Sequence, residues 1–245
     1  MRAILTALSL MLALGPAAAD EALTVDVSRD AIPVTSSFAG TDIVLFGTRE
    51  EAGDIIAIVR GPPAEAVVRR KHRILGVWIN TEERTYQGAP AYYAVAASRP
   101  LGDILAAEVL LREQIGLGNV QQAGPAGRVE PRREEEFRAA LLRYQSWAGR
   151  YISAVAPVKF EGAHLFRANI ALPASAPYGD YTVETLLVSD GKIAARRTVP
   201  LRVVEAGVNA GISDFARNDA LAYGLIAVLA AAAAGWIASL AFRAY

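Results

Sequence analysis

Apolar positions along this chain follow two rhythms. Leu23, Val25 and Val27 alternate with Thr24 and Asp26, and a period of two predicts a half-buried strand. The runs TDIVLFG and GDIIAIVRGPP are short, β-branched and closed by Gly or Pro, as strand ends are. ILGVWIN and AYYAVAAS extend the strand reading to about Ser98. The spacing then changes to three and four. In SRPLGDILAAEVLLREQIGLG, Ser98 suits an N-cap, Pro100 the first turn, and Gly116 and Gly118 the stop. QQAGPAGRVEP reads as a linker. Pro131 opens a second helix with Glu134, Glu135 and Glu136 near its start, where negative charge is favourable. Phe137, Leu141, Tyr144, Ala148 and Tyr151 form one apolar stripe, expected to pack on the strands.

After Pro157 the strands return in HLFRANIALP, GDYTVETLLVSDG and KIAARRTVPLRVV, with Ser189-Asp190-Gly191 as a hairpin turn. Tyr181 follows a Gly-Asp turn at the start of a strand, as in the tyrosine corner of immunoglobulin-like domains. The expected fold is therefore mainly β. It is an immunoglobulin-like sandwich over residues 20–206 with a helical hairpin inserted at about 99–151. Two smaller domains are the alternative, but three C-terminal strands alone would make a poor core.

The two ends follow a different logic. Residues 1–19 combine Arg2, an apolar run from Ala3 to Leu14, the breaker Gly15-Pro16 and the small residues Ala17-Ala18-Ala19. That is the pattern of a secretory signal peptide cleaved after Ala19. From Ala220 to Phe242 there is no charged residue. At about 1.5 Å per residue such a helix reaches roughly 34 Å, enough for a hydrocarbon core of about 30 Å. The expected topology is single-pass in an inner membrane. The body is periplasmic, residues 207–219 are a juxtamembrane linker, residues 220–242 form the span, and residues 243–245 are cytoplasmic.

Composition changes this picture little. The chain has 245 residues, equal numbers of basic and acidic side chains and 53% hydrophobic residues, which argues against disorder and against a nucleic-acid partner. It has no cysteine, so thiol catalysis, thiolate zinc and thioether haem attachment are excluded. His72 and His164 stand in different segments with no metal-ligand spacing around them. There is no G-x-S-x-G elbow, no S-x-x-K, and IGLGNV lacks the strand and lysine of a phosphate loop. Neither a cofactor nor an enzymatic activity is expected.

Two features point to contact instead. Arg69, Arg70, Lys71, His72 and Arg73 are consecutive. In a strand, Arg69, Lys71 and Arg73 would share one face and Arg70 and His72 the other. A core cannot bury both sets, so the run should project from the sandwich while Trp78 and Ile79 anchor the strand. Arg69, Arg70, Lys71 and Arg73 are the candidate contact for an anion or a partner. A charged edge that blocks sheet-to-sheet pairing is the plainer reading. In the apolar C-terminal segment, Ala227, Ala231, Gly235 and Ser239 recur every four residues, a small-residue face that lets helices pack closely.

Several fragments together resemble an alphaproteobacterial family of transmembrane proteins. They are FAGTDIVLFG, VRGP, VVRRKHRILGVWIN, YYAVAASRPL, LFRANIALPASAPYGDYTVETLL and YGLIAVLAAAAAGWIASLAF. The resemblance implies a membrane location, no activity, and neighbouring permeases similar to sulfite or sulfonate exporters. The resulting expectation is a non-catalytic accessory protein. Its partner would be such a permease or a second copy through the membrane helix. A periplasmic small-anion-binding module and a hydrolase of unrecognised type are the alternatives.

Overall fold

Alternating apolar residues put most of the chain into strands. The computed structural model describes residues 22–74, 76–120, 131–206, 215–217 and 219–243, without the side chains of residues 74, 131, 237 and 239–243. The strands are β1 (Leu23–Val27), β2 (Ala31–Val34), β3 (Gly40–Arg49), β4 (Asp54–Arg60), β5 (Pro63–Ile74), β6 (Val77–Pro90), β7 (Tyr93–Ala97), β8 (Ala156–Glu161), β9 (Leu165–Pro173), β10 (Gly179–Ser189) and β11 (Lys192–Glu205). The helices are α1 (Leu101–Ile104), α2 (Ala107–Arg112), α3 (Pro131–Trp147) and α4 (Ala220–Arg243), with a 3-10 turn at Leu117–Asn119.

Nine strands form one curled sheet in the order β1-β3-β9-β8-β7-β4-β10-β11-β2, and β5 and β6 pair separately. The curl comes at β7–β8, joined in parallel only through Ala96↔Ala156 and Ala97↔Pro157. Either side of that join, β1-β3-β9-β8 and β7-β4-β10-β11-β2 close on one another. Leu45, Phe166 and Ile170 of the first group share a core with Ile55, Val59, Val183 and Leu201 of the second. The outer face of the second group is also covered. Ile56, Ile58, Val95 and Leu186 pack with Ile104, Leu105, Leu110 and Ile115. Hence DIIAIVR is a continuous apolar run, buried on both sides, as strands between two layers are. LFRANIALP has one open face and alternates strictly.

The tyrosine reading holds locally: the Tyr181 hydroxyl donates to the Pro177 carbonyl at 2.8 Å. The hairpin turn at Asp190-Gly191 also forms, with φ of 49° and 72°, the left-handed values a two-residue turn between antiparallel strands needs.

Four expectations need correction. The inserted segment is not a helical hairpin. Its first half breaks at Leu105, which is extended at φ −134°, ψ 146°, so that consecutive Ile104 and Leu105 can both enter the core. Ser98 caps nothing: Pro100 is the N-cap, while the Ser98 hydroxyl donates to Asp54 at 2.8 Å. Nor is ILGVWIN one strand, since β5 ends at Ile74 and β6 begins at Val77. Trp78 and Ile79 do not anchor anything in the core; they are 65% and 45% exposed. The pattern missed β2, only four residues long with a proline inside it, and it missed β8 and the outer length of β6, where charged residues mask the alternation.

Residues 1–19 lie outside the described residues. The helical backbone of α4 runs for 24 residues, roughly 36 Å. Its described side chains are exposed on every side, from Leu221 at 92% to Trp236 at 68%. Among the described residues no helix is long and apolar enough to cross a membrane.

Candidate functional site

The chain leaves the sheet at Gly61-Pro62 and returns at Ala91. Between these points β5 and β6 form a long two-stranded arm. None of its residues joins either large core. The root of the arm is closely packed and hydrogen-bonded. Gly61 N–H donates to the Tyr92 carbonyl and Ala91 N–H to the Pro62 carbonyl, both at 2.8 Å. A Cβ on Gly61 would meet Tyr92 N at 2.8 Å, and one on Gly179 would meet Pro62 Cγ at 2.9 Å, so glycine is what lets these segments approach. Four buried tyrosines surround the root. Tyr92 stacks at a tilt on Tyr181, and Tyr93 on Tyr151, with centroids 5.7 and 6.1 Å apart. Their hydroxyls donate to carbonyls of Ala171, Pro177, Gln114 and Pro90 respectively. Burial pushes the hydroxyl of Tyr93 up to about 12, so these groups act as neutral donors. The sequence signal for this clamp was the Tyr92-Tyr93 pair, read only as part of a strand.

Helix α3 covers the near half of the arm. Phe137 and Leu141 bury with Tyr86 against Ala66 and Val68. The Arg84 guanidinium lies 5.2 Å from the Phe137 ring. Burial, and then the Glu134 carboxylate, push the Tyr86 hydroxyl above its ordinary range. The apolar stripe therefore divides: Phe137 and Leu141 pack on the arm, while Leu142 and, beyond the helix, Tyr151 pack on the covered face of the large sheet. Gln145 is buried and Tyr144 is 56% exposed, so the true stripe is Phe137, Leu141, Gln145. Arg138 donates to the Gly118 and Val120 carbonyls at 3.0 Å, which ties α3 to the covered face of the sheet.

The basic run sits in the outer part of β5, and the structure divides it. Arg69 pairs with Glu83 at 2.6 Å and Arg70 with Glu136 at 2.7 Å. Arg133 and Glu82 add a pair at 3.6 Å. These contacts stitch the arm to itself and to α3. Beyond the register shift at Arg70/Lys71, Lys71 lies opposite Asn80 and Arg73 opposite Trp78. Neither cation makes an ion pair among the described residues; Arg73 Nε donates to the Gly76 carbonyl at 3.3 Å. The four candidate residues are therefore two pairs in different settings. Arg69 and Arg70, with Arg132, Arg143, Glu135 and Glu136, line an open cleft of about 580 Å³ between β5 and α3. Lys71 and Arg73 stand at the bare tip with Val77 and Trp78.

The remaining candidates are dispersed. His72 is on the arm, while His164 Nδ1 lies 2.9 Å from the Arg49 carbonyl in the β8–β9 turn. Among the described residues no group of three His, Asp or Glu could hold a metal. Two carboxylates do come together, Glu113 and Glu184, both bonded to Arg196, with Arg60 also on Glu184. The Arg196 hydrogen bond holds Glu113 below its usual range, the opposite of what a proton donor needs. The cluster clamps the end of α2 to the sheet. On α4, Ala227, Ala231 and Gly235 fall on one face and are exposed, while the Ser239 side chain lies outside the described residues.

The chain thus presents a curled, two-layered β body, a projecting two-stranded arm and an apolar C-terminal helix with exposed side chains. The chain matches the family described as "Putative transmembrane protein (Alph_Pro_TM)" over residues 22–244, and it belongs to that family. No curated protein and no solved structure matches it.

Proposed function

We propose that this protein is a non-catalytic accessory subunit of an inner-membrane assembly. On this reading residues 1–19 are a signal peptide, α4 is its single membrane span, and the β body is periplasmic. An apolar helix exposed on all sides is the form a span takes. The strand order, with β2 running parallel to β11 and Tyr181 at the start of β10, supports an immunoglobulin-like body. The carrying observation is the arm: the described residues of 63–90 belong to neither large core, yet backbone hydrogen bonds fix the root of the arm to the body. Ordering such an appendage costs backbone entropy of about 1–2 kcal/mol per residue, which folding of the body does not require.

The partner would be a polytopic permease, of the sulfite- or sulfonate-exporter type implied by the family resemblance, docked along Ala227, Ala231 and Gly235. A second copy of the chain on the same face is the alternative arrangement. Affinity isolation from detergent-solubilised native membranes at native expression tests this. A stoichiometric polytopic protein, lost in the Gly235→Leu variant, is expected; a partnerless monomer would end the proposal.

The cleft between β5 and α3 favours a second reading, a small-anion-binding module, because four arginines line it against two glutamates. Titration calorimetry with sulfate, sulfite and phosphate separates the two. Binding abolished in Arg69→Gln/Arg70→Gln, with the assembly intact, would support the module; no heat from any anion would remove it.

A further inference from the structure

Among the described residues the tip of the arm has no packing partner, and three observations bear on what would cover it. The first is its shape. Val77, Trp78 and Ile79 are 63%, 65% and 45% exposed. Neighbouring residues of a strand face opposite sides, so Trp78 projects from one face of the ribbon and Val77 and Ile79 from the other. Helix α3 covers only the nearer half. A protein surface would shelter one face of a ribbon; a fluid apolar medium surrounds both.

The second is the charge beside it. Lys71 and Arg73 flank the apolar tip, and Arg73 is the cross-strand neighbour of Trp78. The ion pairs of Arg69 and Arg70 with Glu83 and Glu136 leave the positive charge concentrated at the tip. Tryptophan at the apolar–water boundary and lysine or arginine against anionic headgroups are the recurrent elements of interfacial membrane contact.

The third is position. β4 and β11 are both antiparallel to β10 and so run the same way. The arm leaves from the end of β4 at Gly61-Pro62, packed on Gly179. Gly179 is paired with Val203, near the end of β11 from which the chain continues toward α4. The arm and the C-terminal segment thus leave the body at the same end.

We propose that Lys71, Arg73, Val77, Trp78 and Ile79 at the arm tip dock into the interfacial layer of an anionic phospholipid bilayer, the same bilayer that holds α4. The arm would give the body a second membrane contact and fix its orientation over the surface. The proposal rests on the reading of α4 as a membrane span.

The full chain has no cysteine, so single cysteines can be labelled cleanly. Val77→Cys and, separately, Leu229→Cys carry an environment-sensitive fluorophore in full-length protein reconstituted into nanodiscs. The discs contain phosphatidylcholine alone or mixed with phosphatidylglycerol. In the mixed discs the probe at residue 77 should shift to the blue and be quenched by lipids labelled near the headgroup. The Leu229 probe should be quenched by lipids labelled deep in the chain in both. Lys71→Gln/Arg73→Gln should lower the ratio of docked to free arm by roughly 25-fold, at about fivefold per basic residue. A residue-77 probe that stays water-exposed in mixed discs, while Leu229 is quenched, would overturn the proposal and leave the anchor standing. Shielding of residue 77 only in native membranes would overturn it in favour of a protein partner. Failure at Leu229 would overturn the membrane span itself.

Discussion

Truncating Phe137 should open the arm without unfolding the body. Phe137 is 4% exposed and closes a cluster of only three buried residues, with Ala66 and Val68 packed against it. Replacing a buried Phe by Ala costs about 3–5 kcal/mol. Loss of the Arg84 contact adds up to about 1 kcal/mol at a site this open. A two-stranded hairpin without its covering helix is marginal in water. The substitution therefore removes most of what holds α3 on the arm, while Phe137 belongs to neither large core. The assay is amide hydrogen exchange read by mass spectrometry on the full chain in detergent. Peptides from residues 63–90 and 131–147 should exchange at least about a hundredfold faster in Phe137→Ala. Peptides from β3, β9, β10 and β11 should be unchanged. A uniform acceleration across all strands would refute the reasoning, since arm and body would then be one cooperative unit. Unchanged exchange in the arm would refute it as well.

Other substitutions probe the body. Tyr181→Phe leaves the Pro177 carbonyl without its 2.8 Å donor in a site 1% exposed; it should cost about 1–3 kcal/mol and lower the Tm by roughly 5 °C, and an unaltered Tm would show that the bond carries nothing. Gly47→Ala would put a Cβ 2.3 Å from the Thr24 carbonyl and 2.7 Å from the Phe166 ring. Thermal unfolding should report a loss of about 1–3 kcal/mol, with β1 the first strand to lose exchange protection; wild-type behaviour would contradict the packing. The Asp54 carboxyl is held below its usual value, chiefly by the hydrogen bond from Arg99. Its folded pKa therefore lies below the unfolded value of about 3.9, so its contribution is complete above that pH and is lost as pH falls through the folded value. Denaturant melts of wild type and Asp54→Asn should differ at neutral pH and draw together in acid; a difference independent of pH would refute the linkage.

Strand identity was legible wherever one face of a strand meets water, because burial then imposes a period of two that residues such as Leu23-Thr24-Val25-Asp26-Val27 display directly. The apolar C-terminal segment, the Asp190-Gly191 turn and the Tyr181 hydrogen bond were legible for the same reason: each depends on neighbours a few residues away. The basic run could be recognised as projecting, since five consecutive basic residues cannot be buried on both faces of a strand. What it projects from could not. Only the folded chain sets Arg69 and Arg70 against Glu83 and Glu136 and leaves Lys71 and Arg73 bare. Those partners lie 14 and 66 residues away, and no local pattern encodes which carboxylate arrives.

Trp78 and Ile79 mark the same boundary from the other side. A short apolar run reads as core whether it ends inside a protein or at the tip of an arm, because hydrophobicity specifies removal from water and not the medium that replaces it. Sequence by itself determined a β-rich body and an apolar helix at its C-terminal side. Tertiary structure decided that β5 and β6 stand apart from the sheet, and which cations are already spent. Both depend on how the β4–β7 and β10–β11 pairings close, and closure is a property of contacts distant along the chain.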